Sequence, residues 1–297
     1  MVLWEEPRVK ALILHWSIFG TTRQIAETIA QGLHDEGVEC ELRDLRHGVP
    51  SDAANYDIIG VGFPAHWYRP PPPVTEAIAG LGRLDGRSVF AFCLYGTYRG
   101  AALNRARAAL ANTGGAVIGA FACHGEGHFY AYSRLGWGFS PGHPDAVDLE
   151  DARAFGGRMA AAHETARRGG GVMVSPADPP TPALYALERA VVAPWLVRAL
   201  LWRFFRADPA LCTRCGKCAR ECPTGAIAWE RGAMPAWSRD CVLCVNCVAT
   251  CPEEAVSCPI DWAVVRPFIR WNVRRALSDP ELEHARVAFR RGRFSRL

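Results

Sequence analysis

The chain has 297 residues, 49% hydrophobic content and a formal net charge of +4. This length allows one large hydrophobic core and a second, smaller one, so two domains are expected. Almost all the basic residues are arginine, so the modest positive charge does not indicate a nucleic-acid surface and names no partner. Eight of the 12 cysteines lie in residues 212–251. That density indicates thiolate ligation of a cofactor rather than scattered disulfides, and it favours a reducing compartment.

The apolar N-terminal segment, residues 11–19, is too short to cross a bilayer. It follows Glu5 and Glu6 rather than the basic region and cleavage site of a signal peptide. We therefore expect a cytoplasmic protein.

The first half of the chain alternates strands and helices. An apolar strand at residues 9–16 precedes a helical pattern formed by Ile25, Ile29 and Leu33. Four more strands are predicted at residues 38–45, 57–64, 88–95 and 116–123, with helices near 73–83 and 100–112. A last helix is predicted from about Asp148 to Arg168, where Gly169–Gly171 stop it. Such alternation predicts a doubly wound parallel sheet with helices on both faces.

A domain boundary is predicted at residues 169–182, which hold three glycines and four prolines. The apolar helical stretch 184–205 follows, interrupted by Pro194 and carrying three arginines, a composition that argues against a membrane-spanning helix. We expect it to pack between domains. A helix lying on a membrane surface is the alternative, because Trp195 and Trp202 accompany the arginines.

Two cysteine runs form an internal repeat, residues 212–227 and 241–256. Three closely spaced thiolates can wrap one cluster from a single loop, while the fourth cysteine, before a proline, points to the other cluster. The spacing thus predicts two [4Fe–4S] clusters, one held by Cys212, Cys215, Cys218 and Cys251, the other by Cys241, Cys244, Cys247 and Cys222. Zinc and disulfides are the alternatives, and neither explains the duplicated third cysteine and proline. Residues 208–258 resemble two-cluster bacterial ferredoxins, which implies transfer of single electrons.

The turn after the first strand, Ser17–Thr22, has glycine and hydroxyl residues where a phosphate meets helix N–H groups. It lacks the lysine of a P-loop and the glycine pattern of a dinucleotide fold. Residues 8–168 resemble flavodoxins, on a motif formed by Ile13, Leu14, Trp16, Ser17, Gly20, Thr22 and Ala26. His15 and Phe19 depart from that pattern. The resemblance implies FMN, with its phosphate near Ser17, Phe19, Gly20, Thr21 and Thr22; a capped helix after a strand is the alternative.

Two aromatic loops follow the third and fourth strands, where ligands of this fold bind. The resemblance implies that they enclose the flavin ring, and the candidate residues are Pro64, His66, Trp67, Tyr68, Tyr95, Gly96 and Tyr98. Trp67 and Tyr98 are the stacking candidates, with ordinary packing as the alternative. These loops carry Arg69 and Arg99 and no acid, so we expect an anionic reduced flavin to be penalised less than in flavodoxins.

Two segments have no single interpretation. Four interpretations of the loop of residues 124–144 stay open: a lid over the flavin, a wall of a substrate site, the surface that receives the cluster domain, or a loop with only a packing role. Residues 262–297 hold nine arginines against three acids, and Ser278 with Glu281 predicts a capping box for a final helix. Two interpretations of this basic tail stay open: it docks an acidic redox partner or anionic lipid, or it is a helix face exposed to solvent.

We therefore predict four segments: a flavodoxin-like FMN-binding domain (1–168), a linker with an interdomain helix (169–207), a small α+β ferredoxin-like domain with two clusters (208–260) and a basic helical tail (261–297). The predicted function is electron transfer between the clusters, FMN and an unidentified redox partner protein. A flavin-dependent reductase of a quinone or other small acceptor is the alternative, so the sequence leaves open whether the chain is an enzyme. Nucleic acid is not an expected partner, and peripheral membrane contact is compatible with the sequence.

Overall fold

The computed structural model of the chain describes residues 8–170, Asp178, 183–282 and 286–288. The chain divides into two compact units. The first contains residues up to 125 together with 142–181, and the second contains 126–141 together with the chain from 182 onward. Residues 126–141 lie inside the segment predicted as the first domain, yet they group with the second unit.

The first unit is a parallel sheet covered by helices. Its elements are β1 (Lys10–His15), α1 (Thr21–Asp35), β2 (Glu39–Asp44), β3 (Ile58–Pro64), α2 (Pro72–Gly80), β4 (Ser88–Tyr95), α3 (Ala102–Asn112), β5 (Ala116–His124) and α5 (Ala146–Arg167). Between β5 and α5 the chain forms α4 (Tyr130–Arg134) and β6 (Trp137–Phe139), which belong to the second unit. The five long strands pair in the order β2-β1-β3-β4-β5, all parallel. This is the flavodoxin-like order, and it agrees with the flavodoxin-like five-stranded parallel sheet that the sequence predicted.

The central strands β1, β3 and β4 are buried except for one end residue each, which is why their sequences are nearly continuous apolar runs. β3 has Gly60 and Gly62 where the rings of Phe90 and Phe92 from β4 lie across the strand. A side chain at either glycine would overlap the ring beside it, so the small residues and the large ones form one packed layer.

Helix α5 begins at Ala146, two residues before the predicted start, because Asp145 caps it. The Asp145 carboxylate accepts the N–H groups of Val147 and Asp148, at 2.9 and 3.0 Å, and the Asp148 carboxylate accepts the Asp145 N–H at 2.9 Å. This capping box fixes where the helix starts. Most of the predicted linker, residues 171–177 and 179–182, lies outside the described residues.

The second unit is built from short elements. They are α6 (Ala183–Val191), α7 (Pro194–Ala199), β7 (Arg206–Ala207), α8 (Lys217–Arg220), β8 (Ile227–Ala228), β9 (Ala236–Trp237), α9 (Asn246–Ala249), β10 (Val256–Ser257), α10 (Arg266–Ser278) and β11 (Arg286–Ala288). β7 pairs with β10, β8 with β9, and β11 with β6, all antiparallel. Among the described residues, no helix combines the length and apolarity that crossing a bilayer requires.

The prediction that Ser278 caps a final helix is wrong for the described part of the tail. Ser278 is the last residue of α10, and its hydroxyl donates to the Arg275 carbonyl at 2.9 Å. Asp279 accepts the N–H of Glu281 at 3.0 Å and starts a single 3-10 turn, Pro280–Leu282. A strand follows that turn, and residues 283–285 and 289–297 lie outside the described residues.

Candidate redox cofactor sites

Two cavities in the second unit are each lined by four cysteines. The first is lined by Cys212, Cys215, Cys218 and Cys251. The second is lined by Cys222, Cys241, Cys244 and Cys247. Each cavity therefore has three cysteines from one run and the fourth from the other. These are the two cysteine sets that the spacing predicts. A donor set of four thiols around one cavity fits a [4Fe–4S] cluster.

The backbone of the two cysteine loops repeats as the sequence does. Arg214 and Gly216 have positive φ of 55° and 70°, and Leu243 and Val245, which occupy the equivalent places in the second run, have 57° and 55°. Left-handed backbone is costly for a branched residue such as Val245. The second loop nevertheless keeps the shape of the first, which turns three cysteines toward one cavity.

The two sets differ in burial. Cys215 in the first set is exposed, whereas Cys241 and Cys247 in the second are buried. A hydrogen bond from the Lys217 N–H holds the pKa of the Cys215 thiol below its usual value, while burial raises the pKa of Cys241 to about 11. The second set thus has two buried cysteines where the first has one, and a metal cluster that binds there would displace protons from its thiols.

Backbone donors also reach the cysteine sulfurs. The Leu243 N–H donates to Cys241 Sγ at 3.4 Å, and the Ala255 N–H donates to Cys251 Sγ at 3.3 Å. Hydrogen bonds to ligand sulfurs stabilise the reduced cluster, so these amides would help to set its potential.

The second unit has a ninth cysteine, Cys258, which contacts the segment 126–141. Its thiol is 2% exposed and lies 3.2 Å from the hydroxyl of Tyr130, which donates to Asp261 Oδ1 at 2.7 Å. Arg134, one turn further along α4, pairs with the same carboxylate at 3.2 Å. Cys258 lies outside the two four-cysteine sets that the spacing predicts. The only sequence signal for Tyr130 is that it is an aromatic residue in an irregular loop.

The predicted phosphate turn lies at the N-terminus of α1 in the first unit. Ser17 and Thr22 are buried, and the Gly20 N–H donates to Ser17 Oγ at 3.0 Å. Gly20 is the N-cap residue at φ 93°, and no side chain of the described residues caps the helix. The first-turn N–H groups therefore lack the acceptor that a capped helix would have. An anion bound here supplies it, and the turn fits a phosphate.

The loop after β3 is a tight hairpin. His66 and Arg69 exchange two backbone hydrogen bonds, at 2.9 and 3.1 Å, around Trp67 and Tyr68, which have positive φ of 50° and 60°. Two consecutive non-glycine residues in the left-handed region mark a strained turn of the kind found at ligand sites. Tyr68 is buried, whereas Trp67, His66 and Pro64 are partly exposed. Of Trp67 and Tyr68, Trp67 is therefore the one whose side chain is exposed enough to stack on a flavin ring.

The loop after β4 carries the other predicted contacts. Tyr95, Gly96 and Tyr98 are all partly exposed, and the Tyr95 ring lies 4.6 Å from the ring of His124 at the end of β5. The guanidinium of Arg99 lies 5.6 Å from the Tyr95 ring centre. Three aromatic or cationic groups therefore cluster at the carboxyl ends of neighbouring strands.

The two loops contain no acid of their own, but Arg99 is paired with an acid from elsewhere in the chain. Asp178, in the stretch predicted to be only a linker, accepts from Arg99 Nε at 2.7 Å and from the Asn104 N–H at 2.7 Å. Its side chain is 2% exposed. The charge of Arg99 is therefore neutralised by a residue 79 positions away, and Arg99 does not act as an unpaired cation beside the loop.

Among the described residues, one more group has donor atoms that suit a metal ion: His143, Asp145 and Asp148. The two carboxylates form the capping box of α5, and His143 Nδ1 lies 2.5 Å from Asp148 Oδ2. The group thus has a structural role at the helix start.

Comparisons with known proteins give different relatives for the two units of the chain. Residues 204–252 match the sequence model of the family described as "4Fe-4S dicluster domain". The electron transport protein HydN of Escherichia coli (strain K12) is 37% identical over 62 residues, which are 20% of this chain and 33% of HydN. This segment is an iron–sulfur domain of ferredoxin type, and the match spans about a third of the curated relative's length.

The first unit is similar to solved structures of low identity. A flavodoxin of Streptococcus pneumonia TIGR4 is 19% identical, with a TM-score of 0.42, and the match covers 52% of this chain and 99% of that one. Rubredoxin oxygen:oxidoreductase from the anaerobe Desulfovibrio gigas is 18% identical, with a TM-score of 0.43, over 55% of this chain and 38% of that one. The fold of the first unit is assigned from its strand order. The chain thus joins a flavodoxin-like sheet to a ferredoxin-type iron–sulfur domain. This combination supports a role in electron transfer.

Proposed function

We propose that the chain is an electron-transfer protein that binds two [4Fe–4S] clusters and one FMN and exchanges electrons with a redox partner protein. The single observation that carries the proposal is the pair of four-cysteine cavities, each completed by a cysteine from the other run. A cluster in each cavity accepts and releases one electron, and two clusters on one short domain form a relay.

Three features of the first unit support FMN. The α1 turn offers first-turn N–H groups with no side-chain cap, together with the buried hydroxyls of Ser17 and Thr22. The strained Trp67–Tyr68 turn and the Tyr95 loop lie at the carboxyl ends of β3 and β4. FMN supplies two-electron chemistry when it is bound, and the residues named here would orient its phosphate and ring.

Cofactor analysis of anaerobically purified protein tests the proposal. We expect about eight irons, eight sulfides and one FMN per chain. Zinc without acid-labile sulfide, or a bound dinucleotide in place of FMN, would contradict it.

The phosphate site has its own test. Ser17→Ala combined with Thr22→Val keeps the volume and removes both hydroxyls, and each charge-assisted hydrogen bond to a phosphate is worth about 1.5–3 kcal/mol. FMN affinity measured by fluorescence should fall at least tenfold, while riboflavin, which has no phosphate, should bind both proteins equally. Equal loss of riboflavin would mean that the changes disturb the ring site or the fold.

A further inference from the structure

The second unit exposes large apolar side chains in two segments that touch each other. In the described structure, the exposed fractions are 59% for Leu187, 70% for Trp195 and 79% for Val264. The segments meet where the ring of Phe204 lies 5.0 Å from the ring of Trp262, which is itself 41% exposed. A soluble surface seldom leaves tryptophan and valine open in this number without a binding role.

The charges of the same segments are almost entirely positive. Residues 183–206 and 262–278 contain eight arginines and a single acid, Glu188. Glu188 is 7% exposed and accepts from Asn272 Nδ2 at 3.4 Å, so its carboxylate does not offset the arginines at the surface. Arg266, Arg270 and Arg274 are exposed on α10, and none has an ion pair with another described residue. We call the exposed residues of these two segments the basic apolar face.

An open cavity in the second unit is bordered by residues of this face. Arg266 and Arg270, one helical turn apart, form one wall, and Arg134 of α4 forms another. Ile260 and Ile269 contribute apolar lining. Asp261 is the one acidic residue among the described lining residues and is already paired with Arg134. These lining residues therefore have a net positive charge and suit a phosphate attached to an apolar body.

We propose that the basic apolar face binds the surface of a bilayer that contains anionic phospholipid, with a lipid phosphate in the cavity between Arg134, Arg266 and Arg270. Trp195, Trp262 and Val264 enter the headgroup region, where aromatic and apolar side chains are stable beside arginine. Arginines near such a surface each contribute about a factor of five to binding. A nucleic acid would satisfy the charges but would leave these apolar side chains in water.

Vesicle sedimentation of the intact, cluster-loaded chain tests this binding. Vesicles of phosphatidylcholine mixed with phosphatidylglycerol should pellet the protein at low salt, and vesicles of phosphatidylcholine alone should pellet far less. Arg270→Ala should lower the partition coefficient about fivefold. Arg105→Ala is the matched control, because Arg105 is exposed on α3 of the first unit and has no ion pair with another described residue.

A second pair of variants separates the apolar contribution. Val264→Ser should weaken binding, while Val147→Ser, which changes an equally small side chain that is 65% exposed on α5, should not. All four variants must keep the wild-type visible spectrum and iron content, so that loss of binding is not loss of folding. Equal pelleting with both vesicle types, or equal effects of the test and control variants, would overturn the proposal. So would a stable dimer that Trp195→Ser separates, since a second copy would then cover the face.

Discussion

Tyr130 connects two segments of the second unit that are far apart in sequence. Its ring is 3% exposed, and its hydroxyl both donates to Asp261 Oδ1 and lies within hydrogen-bond distance of Cys258 Sγ. Burial, followed by the nearby Cys258 and Asp261, raises the pKa of this hydroxyl, so it is a donor at every physiological pH. The hydroxyl therefore ties the 126–141 segment to the chain that follows the second cysteine run.

Tyr130→Phe tests this connection. The ring remains, but Asp261 loses a buried donor, and we expect the free energy of unfolding to fall by about 1–2 kcal/mol. Denaturant titration of the cluster-loaded protein measures it. An unchanged midpoint would mean that the hydroxyl contributes no net stability, and the segment would then be held by its other contacts, such as β6–β11 pairing and the Arg134–Asp261 ion pair.

His15 predicts a pH dependence of stability. It is 4% exposed at the end of β1, and its Nδ1 has no hydrogen-bond partner among the described residues. Burial, which outweighs the attraction of Asp44, holds its pKa below 6.5. Since the unfolded chain takes up this proton more readily, stability should be full above pH 6.5 and should fall as the pH drops below it.

His15→Phe removes the titrating group and keeps a ring at this buried position. We expect the loss of stability between pH 7.5 and 5.5 to shrink by up to ~1 kcal/mol. Part of the loss should remain, because burial also lowers the pKa of His128 and His163. Parallel denaturant titrations at the two pH values measure this difference, and identical slopes for both proteins would contradict the account of His15.

At the scale of elements, the crossed cysteine sets can be tested by combining substitutions. If Cys222 completes the second cavity, Cys222→Ser with Cys241→Ser should cost about four irons, no more than Cys222→Ser alone. Cys222→Ser with Cys212→Ser should instead cost about eight. The reverse result would mean that each run holds its own cluster. Iron and sulfide analysis of the purified variants gives the count.

The predicted strands agree with the structure to within one or two residues, because buried parallel strands are continuous apolar runs bounded by polar turns. The two cysteine cavities were likewise predictable, since a spacing of two residues and a following proline constrain the backbone locally. Local patterns of this kind do not report which distant segments pack together. Residues 126–141 were read as a loop of the first domain, and nothing in their sequence identifies Asp261 or β11 as their neighbours.

Two other differences have the same origin. Asp178 lies in a stretch rich in proline and glycine, which favours a linker, and its pairing with Arg99 depends on a contact over 79 positions. Ser278 and Glu281 match a capping box by spacing, but Asp279 provides the cap and only one turn follows. A cap motif thus marks where a helix turn starts, and the following residues decide whether the helix continues.

At the scale of the whole molecule, the chain passes between the two units three times. It leaves the first unit after residue 125, returns at 142 and leaves again after 181. Covalent connections of this kind hold a cofactor of one unit at an effective concentration on the order of millimolar around the other. Electron transfer between the clusters and FMN should then be intramolecular, with a partner protein needed only to deliver or remove electrons.

Stopped-flow reduction of the loaded protein at several protein concentrations tests this central claim. Cluster bleaching and flavin reduction are followed at separate wavelengths after mixing with a reductant in constant excess. We predict that reduced clusters pass electrons to the flavin without a mediator and that the flavin rate does not change with protein concentration. A flavin rate that rises in proportion to protein concentration would mean transfer between molecules, and the two units would then be independent carriers that share one chain.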